Sequence, residues 1–220
     1  MADNTRFHRQ SSIISADDLK RERITVVGCG GIGSFTTFAL AKLGCENIRV
    51  YDFDDVENHN LPNQNFRECD IGKSKVDATY DIVKDFTGVE IIGTKKKVTP
   101  SILRKTGGIV ILAVDSMDAR MELWEGLKMN VKVPLVIDSR MGAEVLQLYS
   151  FRPTNPDGVA MYEENLFPSS EALAAPCTAK SIIYTAFMVS ALIAGQVKKF
   201  LTGDIVKDMI TFDARTISVL

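Results

Sequence analysis

Between residues 23 and 137 short apolar runs alternate with segments whose apolar residues recur at helical spacing. That alternation predicts βαβ units and a mainly parallel sheet. Residues 23–28 read as a first strand, and the helix that follows, from Ser34, stops at Gly44. "NIRVYDFD" is the second strand, residues 73–86 a helix, "VEIIGTKKKV" the third strand, and "ILRKT" behind Pro100 a short helical turn. "GIVILAVD" is the fourth strand, and Ser116 or Asp118 caps a helix that runs past Trp124 to 130.

After "VPLVID" the pattern changes. "AEVLQLYSF" alternates as a half-exposed strand does, so the sheet is expected to turn mixed and antiparallel there. Residues 152–176 show no clear period and read as one long loop, a length that is often functional in compact domains. An apolar helix after Cys177 and two short strands, "MITFDA" and "TISVL", close the chain. The expectation is one α/β domain over residues 1–220, Rossmann-like, with helices flanking a mainly parallel sheet and antiparallel strands in its C-terminal part.

Composition narrows the class. With 45% hydrophobic and 25% charged residues and a net charge of -2, the chain is an ordinary globular one, with no basic surface to suggest nucleic acid or acidic membrane. The first residues are polar and charged and lack the apolar core of a signal peptide, so a cytoplasmic location is expected. The uncharged run between Lys180 and Lys198 contains Tyr184, Thr185, Ser190 and Gln196, which reads as a buried helix rather than a membrane span. Cys29, Cys45, Cys69 and Cys177 form no CxxC pair, so neither a structural zinc nor a disulfide framework is expected.

The chemistry is concentrated around "GCGGIG". Gly28, Gly30 and Gly33 match GxGxxG between a strand and a helix, with Gly31 between them. Such a turn brings backbone close to a phosphate, and the helix start offers free N–H groups and partial positive charge. Asp52, at the end of the second strand, suits a ribose hydroxyl, so an NAD-dependent oxidoreductase stays open at this point. "IGKSK" is not a Walker loop, because Arg67 stands where that motif requires glycine.

Five ordered blocks, "RFHRQ", "GCGGIGS", "YDFDDVENHNLPNQ", "IGKSKVDA" and "VDSMDAR", together resemble the ThiF/MoeB/ubiquitin-activating-enzyme superfamily over most of residues 6–120. The likeness continues more loosely through "VPLVIDSRMG" and the helix after Cys177. It implies ATP-dependent adenylation of the C-terminal glycine carboxylate of a ubiquitin-like or sulfur-carrier protein, with magnesium, in a homodimer. By the same resemblance Lys75 contacts the phosphates, Asp118 holds magnesium, and Arg9 reaches into the partner subunit's nucleotide site. Asp54, Asn60, Asn63 and Gln64 fall in the nucleotide pattern, and Cys177 aligns with a cysteine that some members use for transfer. The loop over residues 152–176 would cross the substrate's extended tail.

Each assignment has a plainer counterpart: a solvated helix-start lysine for Lys75, an N-cap for Asp118, a surface arginine for Arg9, a loop-ordering amide for Asn60, and a small residue at a crowded helix start for Cys177. The chain also departs from the family pattern. Asn63 stands at a position that is commonly arginine, and Ala119 replaces an asparagine often found beside the metal-binding aspartate. Arg67 folding back to supply the missing charge is one expectation; a binding scaffold that lost activity at Asn63 is another. Activation of a carboxylate on a modified nucleoside, as in tRNA-modifying members, is a related enzyme reading against which the net charge speaks.

Overall fold

The structure, a computed structural model, describes residues 6–171 and 182–219. Eight strands form one sheet in the order β3-β2-β1-β4-β5-β6-β7-β8. They are β1 (Ile24–Val27), β2 (Ile48–Asp52), β3 (Ile92–Lys95), β4 (Ile109–Leu112), β5 (Val136–Gly142), β6 (Val145–Phe151), β7 (Met209–Asp213) and β8 (Ser218–Val219). The first five run parallel, and β6 to β8 pair antiparallel, as the change in sequence pattern after "VPLVID" predicts. All four residues of β1 and of β4 are buried, which explains why both read as unbroken apolar runs rather than alternating ones.

Helices α1 (Ala16–Arg21), α2 (Gly31–Leu43), α3 (Lys75–Thr87), α4 (Pro100–Leu103), α5 (Met117–Leu127), α6 (Pro156–Glu164) and α7 (Ile183–Thr202) flank the sheet. Their ends carry the expected chemistry. Ser74 and Ser116 accept from the backbone N–H of Asp77 and Ala119 at the starts of α3 and α5, while Gly44, Gly88 and Gly203 close α2, α3 and α7 in the left-handed conformation. In α7 the buried residues Thr185, Ala186, Val189, Ser190, Ile193, Gln196 and Val197 recur every three or four positions. Its Ser190 bonds Thr36 at 3.2 Å and donates to the Ile32 carbonyl, so this helix packs on the first turns of α2. Among the described residues no helix is long and apolar enough to cross a membrane.

The expected long loop is corrected in part. Residues 156–164 form α6, started by Asn155 as N-cap with Pro156 in the first turn, and residues 169–171 form a single 3-10 turn. Only Tyr162 of α6 is buried, ringed by Trp124, Tyr149 and Phe151 with centroids 4.6–6.0 Å away. One anchoring residue leaves no period to read.

Candidate functional site

The strand order reverses between β1 and β4, and ligands of open α/β sheets bind beyond the carboxyl ends of the strands at such a point. Here the crevice is bounded by the glycine turn after β1, the exits of β2 and β4, and the starts of α2 and α3. Two glycines build the turn. Gly28 has φ of +98°, a Cβ on it would stand 2.5 Å from the Ala113 carbonyl oxygen, and a Cβ on Gly33 would stand 1.8 Å from that of Gly28. At Gly30 an added Cβ meets nothing within 4 Å, although it is the N-cap of α2 and no side chain among the described residues caps that helix. The open cradle therefore faces unsatisfied helix-start N–H groups, the arrangement that suits a phosphate. Gly31 lies beneath the loop, its Cβ position 3.1 Å from the Asn63 carbonyl oxygen.

Asp52 binds the turn to the next strand. Its carboxylate accepts from the Cys29 N–H at 2.6 Å and from the Asp54 N–H at 2.8 Å. Ser34, which the sequence reading did not single out as a site residue, donates to the Gly30 carbonyl at 2.7 Å and accepts from the Asn65 N–H at 3.0 Å, tying the amide-rich loop to the turn. Within that loop the Asn60 side chain accepts from the Glu57 N–H at 2.8 Å, so Asn60 does order its own turn. The Gln64 side-chain oxygen is buried with no partner among the described residues.

Backbone bonds from Val56 to Lys73 and from Lys75 to Asp54 zip the β2 exit onto the start of α3. They bring the Lys75 ammonium within 2.9 Å of the Asp54 carboxylate, with Lys75 buried and Asp54 half exposed. Neighbouring Lys73 is committed elsewhere, to Asp70 and Asp81.

Two charged side chains singled out in the sequence have partners of their own. The Arg67 guanidinium, expected to stand in for the charge missing at Asn63, pairs here with Asp70 and Asp85, each at 2.9 Å. Asp118 is not the N-cap of α5, which is Ser116; it exchanges hydrogen bonds with Ser169, whose N–H it accepts at 3.0 Å while its own N–H donates to the Ser169 hydroxyl. The carboxylate that stands free is Asp115, exposed, in the β4 exit, and without a partner among the described residues. Two acids three positions apart look alike in sequence; the helix start between them separates their roles.

Asp115 rides on a rigid base. Arg120 is buried and bonds the carboxylate of Asp138 at 2.9 Å, the Ser139 carbonyl at 2.8 Å, and the Val114 carbonyl just before Asp115. Arg140 takes the other Asp138 oxygen at 2.9 Å and stacks 4.4 Å over Tyr149. Two guanidiniums on one fully buried carboxylate leave local positive charge at the edge of the crevice. Burial raises the Tyr162 hydroxyl far above its ordinary range, so it stays neutral beside them.

Arg9 lies elsewhere. It is exposed in a short turn over residues 8–10, anchored where the Gln10 amide donates to the Leu43 carbonyl at the far end of α2. Cys177 and Lys180 lie outside the described residues. Among those described no group of three or more histidine, cysteine, aspartate or glutamate side chains gathers as a metal cage.

A doubly wound sheet with a glycine turn, a buried lysine and acids at its switch point defines a nucleotide-binding α/β protein of the Rossmann type. The chain belongs to the ThiF family, whose model matches residues 7–219. It is 32% identical over 139 residues to the adenylyltransferase and sulfurtransferase MOCS3 of Aedes aegypti, a match covering 60% of this chain and 32% of that protein. It is 28% identical to the ubiquitin-like modifier-activating enzyme 5 of Bombyx mori, over 52% of this chain and 33% of the other. The match thus spans about a third of the length of these curated relatives. Among solved structures, E. coli MccB with AMPCPP and MccA superposes with a TM-score of 0.75 at 18% identity, covering all (100%) of this chain and 71% of that one. E. coli tRNA N6-threonylcarbamoyladenosine dehydratase, TcdA, in complex with AMP gives 0.72 at 18% identity, covering 91% and 95%. These likenesses fix the fold, which is the one expected from sequence.

Proposed function

We propose that the chain is one adenylation unit that activates a carboxylate with ATP, its substrate being the C-terminal glycine of a ubiquitin-like or sulfur-carrier protein. The observation that carries the reading is the open cradle at Gly30, set against the unfilled start of α2 and flanked by Lys75 and by the free acid Asp115. ATP binding draws support from the family and from related structures that hold AMPCPP or AMP.

A carboxylate oxygen attacks the α-phosphorus, a P–O bond forms, the bond to the bridging oxygen breaks, and pyrophosphate leaves with that electron pair. Attack by one anion on another needs neutralising charge and in-line alignment. Lys75 exchanges its partner Asp54 for phosphate oxygens, and the N–H groups at the start of α2 hold the turn-side phosphate. Magnesium would suit a site with few protein ligands, because it keeps waters and phosphate oxygens; Asp118, bonded to Ser169 in this structure, and Asp115 are the carboxylates that would hold it. Where a thioester follows, the Cys177 thiolate would attack the glycine carbonyl carbon, forming the C–S bond as the C–O bond to phosphate breaks and AMP leaves.

Pyrophosphate exchange into ATP, measured against a panel of small proteins ending in Gly-Gly, tests this. Exchange dependent on one of them, and reduced at least about 100-fold in Lys75→Ala and Asp115→Ala, is the expected result. Nucleotide binding without exchange or AMP formation for any carboxylate would leave the scaffold reading in its place. One observation favours a second substrate: the near end-to-end superposition with TcdA. AMP release stimulated by tRNA rather than by a protein tail would select a modified nucleoside.

A further inference from the structure

A second site lies away from the glycine turn. Thr25 of β1 is in register with Arg49 of β2, and the two, with Tyr51, share one face of the sheet. The crossover from β3 to β4 covers that face with α4 alone, a helix of four residues, too short to reach across β2 and β3. The gap is a cavity of about 230 Å³ lined by Arg23, Thr25, Arg49, Tyr51 and, at the end of α4, Ile102 and Lys105.

Among the described residues three cations border this cavity and no carboxylate does. Arg23, Arg49 and Lys105 form no ion pair among the described residues. Two polar atoms on its lining residues are buried and unpartnered among the described residues: the Thr25 hydroxyl, on a residue only 1% exposed, and the Arg49 Nε–H. Buried polar groups in native proteins are satisfied, so an orphaned pair on the walls of a cavity calls for a missing partner. Arginine and lysine only donate, so the complementary ligand is rich in acceptors and negatively charged. Donors come to it from two strands and from the turn after α4. A tetrahedral oxyanion offers oxygens in all those directions, whereas a carboxylate offers two in one plane. The volume exceeds one water's share of about 30 Å³ several-fold.

We propose that this pocket binds a phosphate group, of the free ion or of a small phosphate monoester, independently of the adenylation chemistry. Titration calorimetry on the full chain decides it, with sodium orthophosphate and phenyl phosphate as probes, sodium chloride at matched ionic strength as baseline, and citrate as the carboxylate comparison. The expected result is saturable phosphate binding that weakens at least about 10-fold in both Arg49→Gln and Lys105→Gln and is unchanged in Lys75→Gln, which disables the other phosphate site. Tighter binding of orthophosphate assigns the free ion, and tighter binding of phenyl phosphate assigns a monoester. Lys105 is exposed, so its variant folds whether or not Arg49→Gln does, and melting without ligand verifies this. Heat no greater than the chloride baseline, binding indifferent to Arg49 and Lys105, loss in Lys75→Gln, or citrate binding more tightly than either phosphate overturns the proposal.

Discussion

Single side chains already set measurable behaviour. Asp70 has no exposed surface; burial alone would push its carboxyl up, but hydrogen bonds from the Arg67 side chain and backbone and from Lys73 hold it below its ordinary value of 3.8. The unfolded chain therefore takes up this proton at a higher pH than the folded one, so the contribution is complete above the ordinary value and is lost as pH falls below it through the depressed one. Urea denaturation across pH 2–6 is expected to show a stability slope that flattens in Asp70→Asn. Arg67→Ala, which leaves buried Asp70 with only Lys73 and the residue-67 backbone N–H, is expected to lower stability by about 2 kcal/mol while leaving pyrophosphate exchange near wild type. Burial pushes the thiols of Cys29 and Cys45 to about 12, whereas Cys69 is exposed. Alkylation at pH 8 followed by peptide mass mapping is expected to label Cys69 quickly, and Cys29 and Cys45 only after unfolding.

At the scale of elements, the turn between β4 and α5 carries Asp115, an acid of the proposed site, and Arg120 holds it by bonding both Asp138 and the Val114 carbonyl. Arg120→Met breaks a buried pair and leaves Asp138 with Arg140 alone, so a loss of about 3 kcal/mol or more in urea denaturation is expected. Much of this architecture is legible in sequence because local and tertiary demands coincide there. Ser74 and Ser116 mark helix starts, Gly44 a helix end, and fully buried β1 and β4 need continuous apolar runs. Where tertiary contact alone decides, sequence is mute. Helix α6 rests on one ring cluster around Tyr162. One of the two partners of Arg67 is an aspartate eighteen positions away that α3 carries back to it. Which of Asp115 and Asp118 stays free depends on Ser169, more than fifty residues on.

For the whole molecule, the position of Arg9 decides what the working unit must be. Its turn is fixed to the C-terminal end of α2, by the bond from Gln10 to Leu43 and by Phe7 against Gly44, while the glycine turn lies at the other end of that helix. Thirteen residues at 1.5 Å each put the two about 20 Å apart, further than an arginine side chain extends. Arg9 therefore has no route to the cradle of its own chain, and it forms no ion pair among the described residues that would account for it as a structural charge. If it acts on phosphate, it does so across a two-fold interface, where each subunit completes the other's site. Arg9→Ala and Lys75→Ala are then each expected to be inactive alone, yet to regain activity when unfolded and refolded together. Random pairing makes half the dimers mixed, each with one intact site, so about a quarter of wild-type exchange should return. Sedimentation showing a monomer at assay concentration, or mixtures as inactive as their components, would remove Arg9 from the chemistry and leave it an ordinary surface arginine.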